Sequence, residues 1–411
     1  MKLHGRNYRY FPTIITCVLF FLTSCVNSNS TNTSKQEINP HRAAIEDDHV
    51  NQVNNNSELI KSAEQGSAAS QHNLAFKYAN ASGIKKNYAQ AFYWYNKAAN
   101  QGYAKSQGNL GVMYEIGIGI NKNLIKAKYW YEKGAEQGNI TSQILLARMY
   151  RTEGDTNKNY KPALYWYEKA ATYGDAGAQY ALAAMYTERK GVEEGDPKEL
   201  YWYTKAANQG HSFAQNALGN LYGSQNNYAL AAIWFEKFVN EADPKEYSFS
   251  PVATLFYTNT ISHAQYQLGL MYYKGQGVAQ DYKQAAFWYQ KAADQGNANG
   301  QYNLGVMYDN GRGVAQDYKQ AAFWYQKAAD QEDALGQYNL GIMYFKGDGV
   351  AQNFVKSYAL LNISAANGHD SAVKSRDIIL KTMSSKQIEE GQALTRKMLV
   401  PGQFLKALNA Y

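Results

Sequence analysis

The chain has 411 residues, of which 18% are charged and 14% aromatic, and a formal net charge of +7. Lys2, Arg6 and Arg9 carry three of those charges at the extreme N-terminus, which leaves +4 (7 minus 3) dispersed over the rest and excludes a legible nucleic-acid surface. The two cysteines, Cys17 and Cys25, both precede residue 26, so the remaining chain is expected to carry no disulfide and no thiol chemistry.

Residues 1–24 read as a secretory leader. The apolar stretch Phe11–Leu22 follows the basic end and is too short for a stable membrane span. It runs into Leu22-Thr23-Ser24-Cys25, which resembles a bacterial lipobox. That resemblance implies cleavage before Cys25 and lipidation there, and several acyl chains on one residue anchor stably where one does not. Val26 follows the cysteine, and with no Asp there the resemblance favours the outer membrane. The expected location is lipid-anchored in the bacterial envelope, facing the periplasm. Residues 25–57 are rich in Asn, Ser and Thr and are expected to form a disordered tether. Within it, Glu46-Asp47-Asp48-His49 reads as a solvated charge run.

A half unit, residues 58–66, precedes a repeating array. All seven tryptophans, Trp94, Trp130, Trp166, Trp202, Trp234, Trp288 and Trp324, fill one slot of it, at steps of 36, 36, 36, 32, 54 and 36 residues. A period of this length predicts a solenoid of one supersecondary unit. Eight units begin near Gln71, Gln107, Gln143, Gln179, Gln215, Gln265, Gln301 and Gln337. Each holds two apolar-periodic segments of helical length, so the predicted fold is all-α, an α/α superhelical solenoid. The first segment puts a Leu, a small residue and a Tyr on one face, as in Leu304, Gly305 and Tyr308. The small residue is Gly or Ala in all eight units, which marks a close helix approach.

The second segment opens with Asn87, Asn123, Asn159, Asn227, Asp281, Asp317 and Asn353, expected N-caps. Gln284 and Gln320 stand where a capping box needs them, and Asp196-Pro197 is the expected start in the fourth unit. Tyr318, Ala321, Tyr325 and Ala328 share one helical face with Trp324 beside it, and the tryptophans are expected to be core. Glycines such as Gly102, Gly138 and Gly296 stop the helix.

The array departs from its period in three places. The fifth unit lacks four residues, and the eighth has Leu360 in place of Trp. An insertion at 243–261 lies between the fifth and sixth units, so the expected organisation is repeats over 58–242 and 262–368. The insertion is read either as a backward extension of the next helix or as a projecting loop. Residues 369–411 are expected to close the array with further helices, the last capped by Ser384 or Ser385.

The motif in Ala298–Gln331, with Gln301, Leu304-Gly305, Met307-Tyr308, Gly311-Arg312-Gly313-Val314, Asp317, Ala321, Trp324-Tyr325 and Lys327-Ala328-Ala329, resembles Sel1-like repeats, relatives of the tetratricopeptide repeat. Eight copies make the resemblance specific. It implies a non-catalytic adaptor that binds a protein partner along the concave face lined by the first helices. Two other roles follow from the same resemblance: an immunity protein neutralising a phospholipase effector delivered to the periplasm, and binding or hydrolysis of a β-lactam or cell-wall ligand. The last is disfavoured, because related proteins staple each repeat with cysteines this chain lacks.

The sequence shows no catalytic signature and implies no cofactor. The seven histidines have no metal-ligand spacing. The Gly-x-Gly triplets at 275–277, 311–313 and 347–349 lack the third Gly, Lys and Ser/Thr of a phosphate loop and read as interhelix turns. Partner specificity is expected where the copies disagree. Two before the slot Leu, the later units present Tyr180, Tyr266, Tyr302 and Tyr338; five after it stand Tyr273, Asp309 and Phe345. These seven are the candidate partner-binding residues.

Overall fold

A computed structural model describes residues 56–153, 160–190, 198–243 and 250–411, and all regular structure among them is helical. The leader, Cys25, the tether to residue 55, the acidic run at 46–49, Asn159 and Asp196-Pro197 lie outside the described residues, as does the 244–249 part of the insertion.

The chain forms two compact units that meet in sequence at His211 and Ser212. In the first, α1 (56–64) precedes four helix pairs: α2 (Ala68–Asn80) with α3 (Tyr88–Asn100), α4 (Ala104–Ile116) with α5 (Leu124–Glu136), α6 (Ile140–Glu153) with α7 (Tyr160–Thr172), and α8 (Ala176–Thr187) with α9 (Lys198–Asn208). The second holds α10 (Ser212–Ser224) with α11 (Tyr228–Glu241), α12 (Pro251–Lys274) with α13 (Tyr282–Asp294), α14 (Ala298–Asn310) with α15 (Tyr318–Asp330), and α16 (Ala334–Lys346) with α17 (Phe354–Ala366). It closes with α18 (Asp370–Leu380), α19 (Ser385–Met398) and α20 (Phe404–Ala410). In each unit the two helices of a pair pack together and each pair packs on the next. Neither helix of a pair hides its apolar face alone; stacking makes a continuous core.

The caps follow the sequence grammar. Asn87, Asn123, Asn227 and Asn353 each accept from the amide three residues on, and Asp281 and Asp317 accept from two amides each. The capping box expected at Gln284 and Gln320 is only half formed. The cap's own amide is already spent, Asp281 N–H on the Tyr272 carbonyl and Asp317 N–H on that of Tyr308, both at 3.0 Å. The reciprocal box occurs instead at Ser384 with Gln387, which starts α19.

The small slot on the first helix receives a ring from the second. A Cβ on Gly305 would sit 2.7 Å from Tyr325 Cδ1, and one on Gly269 would sit 2.5 Å from Tyr289 Cδ1. The residue driven into that space is the tyrosine after the tryptophan. Tyr131, Tyr289 and Tyr325 are fully buried, whereas Trp130, Trp166, Trp234 and Trp288 are half-buried and only Trp94, Trp202 and Trp324 are buried. Three tryptophans therefore join the core as expected and the other four flank it, and each of six lies edge-on to the exposed aromatic before it, as Tyr93 does to Trp94 at 4.9 Å.

The second glycine of each Gly-x-Gly turn lies against the preceding repeat. A Cβ on Gly313 would overlap the Tyr282 carbonyl, and one on Gly349 that of Tyr318. Both have positive φ, so a side chain there is doubly opposed. Of the two readings of the insertion, the helical one is what the described part adopts. Ser250 caps α12 with Pro251 in its first turn, and the added turns bury Tyr257 against Phe213 and Phe238. The described part of the insertion from Ser250 on thus joins the core of the second unit, and the two compact units meet in sequence at 211/212.

Candidate functional site

The four tyrosines two before the slot Leu are all half-buried. Tyr266 lies over Tyr289 (6.1 Å between ring centroids), and Tyr302 over Tyr325 (5.9 Å). Tyr180 stacks on His211 at 4.7 Å, and Tyr338 lies 4.4 Å from His369. Each roofs the buried tyrosine or the histidine that ends its own repeat, and each is half-exposed. The equivalent position in the first repeat is His72, whose Nδ1 lies 3.0 Å from Ser106 Oγ. Burial pushes His72 down to about 4, helped by Lys105, and burial does the same to His211.

The position five after the slot Leu has a role that the sequence reading missed: it answers the buried tyrosine of its own repeat. Tyr131 Oη donates to Glu115 Oε2 at 2.7 Å, and Tyr325 Oη to Asp309 Oδ2 at 3.3 Å. Thr187 Oγ1 lies 3.3 Å from Tyr203 Oη. Where the position is Gly223 the buried ring is Phe235, and where it is Phe345 the buried side chain is Leu361; neither has a hydroxyl to satisfy. Part of the variation at Asp309 and Phe345 therefore serves the interior. Burial raises the Asp309 carboxyl, against the Tyr325 hydrogen bond and Lys346. Tyr273 is half-buried, edge-on to Tyr282 at 5.3 Å, and accepts from Arg312 Nη1 at 2.6 Å. Phe345 packs on Phe354 at 5.7 Å.

A second element unread in the sequence is a ladder of glutamines. In six repeats the Gln that opens the first helix donates to the backbone carbonyl eight residues back, as Gln107 Nε2 does to Ala99 O at 3.2 Å, whereas Gln215 Nε2 donates to Glu241 Oε2 at 2.6 Å. The oxygen of the opening Gln accepts from the glutamine thirty residues on: Gln101 to Gln71 (2.7 Å), Gln137 to Gln107 (2.6 Å), Gln209 to Gln179 (2.8 Å), Gln295 to Gln265 (2.7 Å) and Gln331 to Gln301 (2.8 Å). Asn367 does the same for Gln337 at 3.0 Å. The third repeat has Tyr173 in the donor position, and Gln143 Oε1 is buried with no partner. The signal was present as a Gln-to-Gln spacing of thirty in five of the eight copies.

Among the described residues no group of three or more His, Cys, Asp or Glu side chains could hold a metal ion. No helix among them is long and apolar enough to cross a membrane. What the geometry offers is a row of aromatic and polar side chains repeated at the helix-pair interval within each unit, suited to contact with an extended partner.

The Sel1 repeat pattern matches the chain at 68–103, 104–139, 140–175, 176–211, 212–243, 262–297, 298–333 and 334–369. No curated protein matches. Among solved structures, the chain is similar to c5321, a protective antigen of uropathogenic Escherichia coli displaying an SLR fold, at 27% identity over 86% of this chain and 88% of that one, with a TM-score of 0.45. A Sel1 repeat protein from Oxalobacter formigenes is 26% identical over 89% of this chain and 86% of that one, with a TM-score of 0.35. The immunity protein Pa5087 from Pseudomonas aeruginosa is 19% identical over 56% of this chain and 81% of that one, with a TM-score of 0.30.

Proposed function

The chain belongs to the Sel1 repeat family, whose members are generally non-catalytic protein-binding scaffolds, and on that premise we propose that it is a lipid-anchored adaptor of the bacterial envelope. In this reading the chain is not an enzyme. Cys25 carries the lipid, residues 26–55 form the tether up to α1, and the repeats hold a protein partner in the periplasm, with the outer membrane favoured. The observation that carries the binding role is the contrast between the two helices of each repeat. The second helix repeats its residues closely, whereas the first varies at the position that is half-exposed where it holds His72, Tyr180, Asn216, Tyr266, Tyr302 and Tyr338. A fold needs its core conserved between copies; a binding surface needs the copies to differ.

Two experiments test this reading. Cys25→Ser should release the full-length protein from the membrane fraction and abolish incorporation of labelled fatty acid; continued lipid labelling would refute the anchor. Full-length protein used as bait on envelope extract should recover one partner at near-stoichiometric yield. Replacing Tyr266, Tyr302 and Tyr338 by Leu, which preserves contact with the rings beneath, should lose that partner at unchanged helicity. Retained capture would refute this surface. A lipase-like toxin as the captured partner would make the adaptor an immunity protein.

A further inference from the structure

In the sixth repeat the buried tyrosine lacks the carboxylate that Tyr131 and Tyr325 have. Glu115 and Asp309 place a carboxylate beside Tyr131 and Tyr325. At Glu115 an arginine of the following repeat completes the site: Arg148 Nη2 reaches both carboxylate oxygens, at 2.5 and 2.6 Å. The corresponding residue of the sixth repeat is Tyr273, which brings no carboxylate. Tyr289 Oη is left buried without a hydrogen-bond partner, on a side chain with 0% exposure. An arginine of the following repeat again reaches over. Arg312 finds only the Tyr273 hydroxyl at 2.6 Å and the Tyr282 ring, 5.8 Å from its centroid, and forms no ion pair with the described residues. Two donors, one of them a cation, thus stand beside Tyr273 without the anion that pairs with the equivalent donors at Glu115.

We propose that a carboxylate of the protein partner, an Asp or Glu side chain or a C-terminus, binds between Tyr289 and Arg312 in the place that Glu115 occupies in its own repeat. The inference rests on the adaptor reading and gives the chemistry of its partner at one position. Tyr273 is the gate. It is half-buried at the surface of this cluster, and turning its ring aside frees Arg312 and uncovers Tyr289 Oη. The incoming carboxylate then accepts from both, and its charge replaces a neutral phenol as the arginine's partner. Charge-assisted bonds of this kind are stronger than neutral ones. Tyr266 and Tyr302, half-exposed on the adjoining first-helix positions, flank the entry with aromatic surface.

The test uses the full chain and labelled model peptides. One alternates Ala and Glu with a blocked C-terminus, a second has Gln for Glu, and a third is an Ala-Gln peptide with a free carboxyl terminus. Fluorescence anisotropy at low and high salt should show the Glu peptide or the free-terminus peptide binding above the blocked Gln peptide, more weakly as salt rises. Which of the two binds identifies the source of the carboxylate. Arg312→Gln should weaken that binding by about tenfold or more, and Tyr289→Phe should weaken it by a smaller factor. Tyr273→Glu supplies the carboxylate from within; it should abolish peptide binding and raise the melting temperature. Equal binding of all three peptides, or binding that survives Arg312→Gln in a fully helical protein, would overturn the proposal. Failure of every peptide to bind overturns the carboxylate site and leaves the adaptor reading standing, because that reading rests on capture of a whole partner. Failure to capture any envelope partner, with peptide binding intact, would count against the adaptor reading alone.

Discussion

Replacing Tyr173 with glutamine should stabilise this protein. In the third repeat Gln143 donates to the Ala135 carbonyl at 3.2 Å, as its counterparts do, but its oxygen is buried without a partner. In six other repeats that oxygen accepts from an amide thirty residues on, at 2.6–3.0 Å. Residue 173 follows α7 directly, as Gln101 follows α3 and Gln137 follows α5, so a glutamine there starts from the same backbone position. The tyrosine now present is 66% exposed, so its removal sacrifices little buried surface. Leaving a buried acceptor unpaired costs about 1–3 kcal/mol, and a neutral hydrogen bond contributes about 1 kcal/mol net of ordering the side chain. Tyr173→Gln should therefore gain about 1–2 kcal/mol. For a unit of this size that corresponds to a rise of roughly 2–4 °C per kcal/mol in the melting transition. The assay is thermal and urea unfolding of the wild type, Tyr173→Gln and Tyr173→Ala side by side. The alanine variant removes the ring without supplying the donor. If the two variants shift the midpoint alike, the ladder is not the cause and the reasoning fails. The converse change, Gln101→Ala, should leave Gln71 Oε1 unpaired and lower stability by about 1–3 kcal/mol.

Other expectations concern the buried tyrosines, the turns and the histidines. Tyr131→Phe should destabilise by about 1–3 kcal/mol because it strips a donor from the buried Glu115, whereas Tyr289→Phe should be neutral or stabilising, since that hydroxyl has no partner; equal costs on urea titration would contradict the assignment. Gly313→Ala should cost several kcal/mol, combining positive φ with overlap on the Tyr282 carbonyl, and a melting temperature within one degree or so of wild type would refute the close approach. Trp288→Ala should cost about 3 kcal/mol and loosen the sixth repeat and its neighbours, seen as faster amide exchange there. Burial holds His72 and His211 down to about 4 in the folded chain, against the ordinary histidine value of 6.5. With the folded pKa depressed, the unfolded chain binds the proton first. Stability is complete above about pH 6.5 and falls by up to about 1.4 kcal/mol per pH unit for each histidine until about pH 4, then levels off. Replacing both by Asn should flatten the urea midpoint over that window; an unchanged slope would exclude them.

The sequence carried the features that are local and repeated. The caps at Asn87, Asn123, Asn227, Asp281, Asp317 and Asn353 are decided by a side chain and the amides within one turn, so spacing alone reveals them. The small slot was legible because eight copies refuse a larger residue, a constraint visible without knowing what presses on it. The candidate surface was legible only as disagreement between copies, and that signal mixes two causes. Asp309 varies in part because Tyr325 needs an acceptor, whereas Tyr302 stands at a half-exposed position. Comparing residues sixteen apart within each unit would have separated the two causes.

The period of the tryptophans by itself determined an array of helix pairs, because the 36-residue interval is an arithmetic property of the chain. Only the tertiary structure decided which aromatic fills the interior. The helix brings both Trp324 and Tyr325 near the core, and the missing Cβ of Gly305 admits the tyrosine ring. The same holds for the glutamine ladder, the helical course of Pro251 onward and the unpaired hydroxyl of Tyr289. Each depends on which atoms meet across many residues of chain, from thirty in the ladder to 39 between Tyr273 and Arg312. Packing sets that meeting, and no side chain announces it alone.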